Sequence, residues 1–251
     1  MITIAITGGK GGVGKSLLSA NLGVAMCQQG NRAVLFDADL QLANADVLLG
    51  IQSPYNLQHV VSGQMPLKEV LADGPAGLRV VTGGSAVSTL MSAGPKRMAT
   101  FFSQLDELKH IASHLIFDTG AGLDTRVMNF LRMSQEVVVV TTPDPTSVTD
   151  AYATIKHLLK KEPAANISVL VNFVRNEAES RQVFATLNGI SMRFLNRELA
   201  MLGYVRADLD AIESVRKRKA LMISNPNSDA ARDIARVAGV LAAGGVVARS
   251  A

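Results

Sequence analysis

Cysteine occurs once among the 251 residues, tryptophan never, and aromatic residues make up only 4%. The single thiol, Cys27, cannot close an internal disulfide, so the expected compartment is a reducing one. On its helix it reads as a small buried hydrophobe. The four histidines, His59, His110, His114 and His157, show no metal-ligand spacing, and a zinc centre is not expected. Long apolar runs are missing too. The longest uncharged candidate, Val237 to Ala248, covers 12 residues and contains Gly239, Gly244 and Gly245. A membrane span needs about 18. Met1 to Thr7 carry no basic segment and run straight into a glycine-rich loop, which does not read as a signal peptide. A cytoplasmic location is therefore expected. Prolines number 8 and charged residues 18%, against 48% hydrophobic residues, which excludes disordered and low-complexity chains.

Short apolar runs alternate with helical patterns along the whole chain. The runs are Ile2–Thr7, Ala33–Phe36, Leu78–Thr82, His114–Phe117, Val137–Thr141, Ile167–Val171 and Leu202–Val205. They are rich in Val and Ile, and several are apolar on both faces, as strands buried in a parallel sheet are. Between them, Lys15–Gln29, Lys96–Lys109, Thr146–Lys161, Glu177–Leu195 and Ser228–Ala243 read as helices. This alternation predicts an α/β fold: one doubly wound, mostly parallel sheet with helices on both faces. Residues 1–251 form a single domain, with 228–251 as a C-terminal helix and tail. Asn225 to Ser228 read as a turn and N-cap for that helix. In open α/β sheets ligands sit beyond the carboxyl ends of the strands. Gly8–Ser16, Asp37–Asn44 and Asp118–Gly122 all follow strand runs.

Residues 9–16, Gly-Lys-Gly-Gly-Val-Gly-Lys-Ser, fit G-x-x-x-x-G-K-[ST], the P-loop. Glycines let backbone N–H groups converge on phosphate oxygens, and the helix starting at Lys15 adds its N-terminal dipole. The candidate nucleotide contacts here are Gly9, Lys10, Gly11, Gly12, Val13, Gly14, Lys15, Ser16 and Leu17. Lys15 is expected to reach the β- and γ-phosphates of ATP, and the Ser16 hydroxyl to ligate Mg²⁺. Leu115 to Gly122 form an apolar strand ending in Asp118 and a glycine-bearing loop. This reads as Walker B with a switch loop that rearranges when the γ-phosphate is lost, and Asp118 is expected to hold Mg²⁺ through water.

Lys10 gives the loop a second lysine, in the order Lys-Gly-Gly-Val-Gly-Lys-Ser. In this the chain resembles the MinD/ParA family of deviant Walker A P-loop ATPases, from Met1 to about Leu221. The resemblance implies the P-loop NTPase fold, slow Mg²⁺-dependent ATP hydrolysis, and a homodimer that sandwiches ATP. Lys10 would reach into the partner's nucleotide. Phe36 to Asn44 resemble the family's first switch, D-x-D-x-G-x-x-N, with Gln41 where glycine is usual. By that resemblance Asp39 positions the attacking water and Asp37 supports the Mg²⁺ hydration shell. The implied catalytic set is Lys10, Lys15 and Asp39, and the implied metal set Ser16, Asp37 and Asp118. Asn172 matches the adenine-contacting asparagine of the family. Gly203 to Asp208 match its G-x-I-P-x-D segment, with Arg206 in place of proline and Asp208 as a further nucleotide contact.

Thr141 to Tyr152, Asn56 to Gly63 and Gly83 to Ser85 resemble the FlhG group, also called FleN or YlxH, which regulates flagellar number and placement. Flagellar assembly or regulatory proteins are then the implied partners. Many members activate the GTPase FlhF through an extension ahead of the first strand; this sequence starts at that strand, and that activation is not among the expectations. The alternatives are a MinD-like division-site regulator and a ParA-like DNA partition ATPase. A metabolic P-loop enzyme and a non-hydrolysing nucleotide-locked module lie further off, the first for want of an obvious substrate domain, the second because of Asp39. A single cysteine also argues against the nitrogenase iron-protein branch, whose bridging cluster needs two from each subunit.

Charge is uneven. Residues 1–150 carry 10 Lys+Arg against 12 Asp+Glu, and residues 151–251 carry 15 against 9. Arg216 to Lys219 form the strongest run, read either as a solvated helix end or as a patch for nucleic acid or anionic lipid. The last helix places Ile234, Val237, Ala238 and Leu241 on one face, and Asp229, Arg232, Asp233 and Arg236 on the other. That face is either packed on the core or presented to a membrane surface.

Overall fold

The structure is a computed structural model, and it describes residues 1–39, 44–83, 95–122 and 124–245. Gln41, Gly84, Ser85 and the tail 246–251 lie outside the described residues. The strands are β1 (Ile2–Thr7), β2 (Ala33–Ala38), β3 (Ala72–Asp73), β4 (Arg79–Val81), β5 (His114–Thr119), β6 (Glu136–Thr141), β7 (Ile167–Val174) and β8 (Ala200–Arg206). They form one sheet in the order β3-β4-β2-β5-β1-β6-β7-β8. Every pairing is parallel except β3 with β4. The helices are α1 (Lys15–Gln28), α2 (Ala45–Leu49), α3 (Leu57–Val61), α4 (Pro95–Glu107), α5 (Thr125–Met133), α6 (Pro145–Lys161), α7 (Glu177–Leu195), α8 (Leu209–Arg216), α9 (Leu221–Ser224) and α10 (Asp229–Ala242).

The two-residue period of each strand feeds two cores. In β2, Val34 and Phe36 face one layer while Leu35 faces the other. In β5, Leu115 and Phe117 oppose Ile116 in the same way. The first layer is covered by α3 to α7 and the second by α1, α2 and α8 to α10. Doubly wound topology thus follows from strands apolar on both faces. Phe36, Phe101, Phe117 and Phe130 meet in the first layer, with ring centroids 5.1–5.9 Å apart. Each such pair adds roughly 0.5–1.5 kcal/mol beyond area burial. Phe36 and Phe117 immediately precede Asp37 and Asp118 on their strands, and Phe101 of α4 and Phe130 of α5 pack against them.

Several expectations need correction. Asp37 and Asp118 do not follow their strands but lie inside them. The ladder continues through Asp37 opposite Asp118 and Ala38 opposite Thr119, because nothing at these positions breaks parallel pairing. The pattern missed β3, α2, α3 and α9, which are too short to display a helical or strand period, and also α5 and α8, which run to nine and eight residues. Cys27 is half-buried rather than buried.

The last helix settles into the core. Ser228 caps it, accepting from the Ala231 N–H at 3.2 Å. Ile234, Val237, Ala238 and Leu241 are each at most 2% exposed. Its apolar face is therefore spent on the second layer, and α10 as folded here does not present that face to a membrane. Asp233, expected on the solvated face, is fully buried. The Arg206 Nε lies 2.7 Å from its Oδ2, and Arg236 also pairs with it. Removing Arg206 would leave that buried carboxylate with Arg236 as its remaining cationic partner and its Oδ2 without a guanidinium. This is what arginine does where the family motif has proline. Among the described residues no helix is long and apolar enough to cross a membrane.

Candidate nucleotide site

The strand order brings three loops to one edge: the one leaving β1, the one leaving β2 and the one leaving β5. The register fixes their heights, since Ile6 lies opposite Asp118 and Asp118 opposite Asp37. A cleft of about 540 Å³ opens there, lined by Gly11, Gly12, Gly14 to Leu17, Asp39, Asn44, Gly120 and Asp124.

The start of α1 differs from those of α6, α7 and α10. Asp144, Asn176 and Ser228 cap α6, α7 and α10 with side-chain oxygens. Gly14 stands at the N-cap of α1 with φ +93° and offers no side chain. The first N–H groups of α1 are thus left to an anion. Gly9 has a second constraint: a β-carbon there would come within 2.1 Å of the Asp150 carbonyl oxygen. The loop is wedged against α6, and only glycine allows it.

Lys15 is only 7% exposed, and its Nζ donates to the Lys10 carbonyl oxygen at 3.2 Å. Burial lowers its pKa, while Asp118 and Asp39 pull the other way. Asp37 and Asp118 are each 1% exposed. Burial and the neighbouring Asp118 push Asp37 up to about 8, although its oxygens accept from the Asp39 N–H at 3.2 Å and the Ala45 N–H at 3.1 Å. Burial pushes Asp118 up to about 6, restrained by the hydroxyls of Ser16 and Ser19 and by the Lys15 charge. Ser19 donates to Asp118 Oδ1 at 3.0 Å. The Asp39 carboxylate lies beside the loop after β5, since a β-carbon on Gly120 would come 3.2 Å from its Oδ1. Two buried carboxylates side by side, with a hydroxyl on one of them, form an all-oxygen donor set that suits Mg²⁺.

The structure brings Gly9 to Leu17, Asp37, Asp39 and Asp118 together. Lys10 is engaged elsewhere on the same chain. Its Nζ lies 2.8 Å from Asp144 Oδ2 and 2.8 Å from Thr146 Oγ1. The Lys10 ammonium, then the Thr146 N–H and hydroxyl, lower the Asp144 carboxyl to about 2. Asn172 is buried and donates to the Val13 carbonyl oxygen at 2.8 Å, so it ties β7 to the P-loop. Asp208 is turned to the backbone instead. It caps α8 through the Asp210 N–H at 2.9 Å and accepts from the Ala230 N–H at 3.0 Å. Sequence reasoning missed the roles of Asp144, Thr146 and Ser19. Ser19 was within reach, because it lies one helical turn beyond Lys15. Asp144 follows β6 at the ligand-bearing edge, which was the available signal.

The ParA profile, described as NUBPL iron-transfer P-loop NTPase, matches residues 2–242. An iron–sulfur cargo is held by several cysteine thiolates, and Cys27 is the single cysteine of this chain. The chain is 38% identical over 227 residues to the antiactivator FleN of Pseudomonas aeruginosa, covering 90% of this chain and 81% of FleN. It is 35% identical over 240 residues to the flagellum site-determining protein YlxH of Helicobacter pylori, covering 95% and 81%. Among solved structures it is similar to the MinC:MinD cell division complex of Aquifex aeolicus, with TM-score 0.80, 22% identity and 100% and 99% coverage. It is also similar to MinD with Mg-ADP from Pyrococcus horikoshii OT3, with TM-score 0.77, 21% identity and 94% of each chain covered.

Proposed function

The chain belongs to the ParA/MinD family of P-loop NTPases, and from that premise we propose that it is an ATP-driven dimerisation switch that controls flagellar number or placement. The observation that carries the reading is the meeting of an uncapped, glycine-rich helix start with Lys15, Asp39 and the buried pair Asp37–Asp118. FleN and YlxH support the flagellar part, through 35–38% identity over alignments that cover nine-tenths or more of this chain. The Mg-ADP bound to the similar MinD of Pyrococcus horikoshii supports a nucleotide with its metal in this cleft.

The amides of Gly11 to Ser16 and the Lys15 ammonium hold the β- and γ-phosphates. Ser16, Asp37 and Asp118 would hold Mg²⁺, which would neutralise phosphate charge. Asp39 orients a water in line with the γ-phosphorus. The water oxygen forms the new P–O bond, the bond from phosphorus to the β,γ-bridging oxygen breaks, the water's proton passes to a phosphate oxygen, and ADP and phosphate leave. Lys10 exchanges Asp144 for the partner's γ-phosphate, so ATP alone supplies the charge that draws two copies together. Asn172 holds the loop for the adenine end of the nucleotide.

Flagellar counts in a strain lacking the gene test this reading. Wild type should restore the normal number, and Lys15→Ala should fail while being present at the same level. Restoration by Lys15→Ala would separate the flagellar role from nucleotide binding. A ParA-like reading draws on the exposed run Arg216 to Lys219. Duplex DNA binding that falls steeply between two salt concentrations would favour it.

A further inference from the structure

Phe173 is out of place in its strand. The other residues of β7, from Ile167 to Val174, are buried, whereas Phe173 is 41% exposed. Its φ is +59°, a left-handed conformation that bulky side chains avoid. The pairing of β7 with β8 shifts between Asn172 and Val174. Val171 and Val174 both face the first core layer, so the two-residue alternation is broken and Phe173 is left over. Its ring comes to rest on the P-loop. A β-carbon on Gly14 would lie 3.3 Å from Phe173 Cζ and 2.4 Å from Asn172 Nδ2. Asn172 and Phe173 therefore form one wall beside the helix start that is left open to phosphate. Asn172 is the buried part of that wall and Phe173 the exposed part.

The carboxylates Asp37, Asp39 and Asp118 come from β2, β5 and the loop after β2, on one side of β1. A triphosphate lying on the loop amides presents its terminal phosphate and metal to that side. Its sugar and base then leave toward β7 and β8. We infer that Phe173 is the stacking platform for the base of the bound nucleotide. The inference rests on the ATP reading above and adds a residue to it. Strain held at one exposed aromatic beside a ligand loop is the form that such a constraint takes. An aromatic ring stacks on any base, so Phe173 sets affinity for nucleosides over bare phosphates rather than choice among bases.

The chain contains no tryptophan, so Phe173→Trp introduces a sole reporter. Its emission should change on addition of Mg-ATP or Mg-ADP and stay constant with Mg-tripolyphosphate. Phe173→Ala should weaken ATP roughly tenfold or more, the scale of one base–aromatic stack, and leave tripolyphosphate affinity unchanged. Phe173→Gly, which accepts the positive φ, should melt at a higher temperature than wild type while losing ATP affinity in the same way. Unchanged ATP affinity in the alanine and glycine variants would overturn the stacking role. A lower melting temperature for Phe173→Gly with equal losses for ATP and tripolyphosphate would overturn it in favour of a packing role. Failure of wild type to bind ATP or tripolyphosphate would remove the P-loop reading, and the stacking role with it.

Discussion

The two ends of the sheet bury carboxylates in different ways. At the carboxyl end, Asp37 and Asp118 lie opposite each other on neighbouring strands. At the amino end, Glu136 opens β6 alone and is 4% exposed. Burial raises the pKa at both ends. The surroundings differ. Glu136 accepts from Ser168 Oγ at 2.5 Å and from the Asn166 amide, both neutral donors, beside a cavity of about 120 Å³. The aspartate pair has a like charge as its neighbour, and a buried lysine and an uncapped helix close by. Burial by itself marks nothing. Like charges brought together next to an open anion site mark a place built for a cation and a phosphate.

Substitutions at the two ends should therefore act on different observables. At the carboxyl end, Asp39→Ala should bind Mg-ATP with near-normal affinity and lower turnover by about 100-fold or more, since it removes the group that orients water. Calorimetric titration and phosphate release check the two halves of that expectation; unchanged turnover takes Asp39 out of the chemistry. Asp118→Asn should reduce the gain in ATP affinity that Mg²⁺ confers by roughly tenfold, the size of one charge-assisted contact. In nucleotide-free and metal-free protein the same change should raise the melting temperature, because it relieves the repulsion with Asp37. A fall in both quantities would mean that Asp118 holds the fold rather than the metal.

At the amino end the expected effect is smallest. Burial raises Glu136, so the folded state holds its proton more tightly than the unfolded state does. Its contribution to stability is best below its unfolded value near 4.5 and declines as pH rises through the folded value. Glu136→Gln should thus raise the melting temperature at pH 7 by about 1–3 °C, leave it unchanged at pH 4, and leave ATP affinity untouched. A change in nucleotide affinity would erase the distinction between the two ends.

The carboxyl end was legible because its chemistry is local in sequence. Gly9 to Ser16 lie on consecutive residues, and Asp37, Asp39 and Asp118 close apolar runs. Periodicity also gave seven of the strands and the long helices to within a few residues. What the sequence hid depends on long-range pairing. The ion pair of Lys10 with Asp144 spans 134 residues, and the burial of Asp233 depends on Arg206 from a different element. Phe173 lies two residues beyond the apolar run Ile167–Val171, and a bulge and a positive φ leave no mark on composition. Asp208 was carried over by motif to the nucleotide, whereas its oxygens serve the turn into α8 and the start of α10.

On the proposed switch, ATP and not ADP should draw two copies together through Lys10. In the free chain Lys10 is paired with Asp144, and ADP brings no γ-phosphate to exchange for it. Light scattering of wild type and Lys10→Ala, each with Mg-ATP and with Mg-ADP, measures this directly, with bound nucleotide quantified in the same samples. Wild type should double in mass with ATP only, and Lys10→Ala should stay monomeric while still carrying ATP. Equal mass for wild type in both nucleotides, or a Lys10→Ala that doubles normally with ATP, would contradict it.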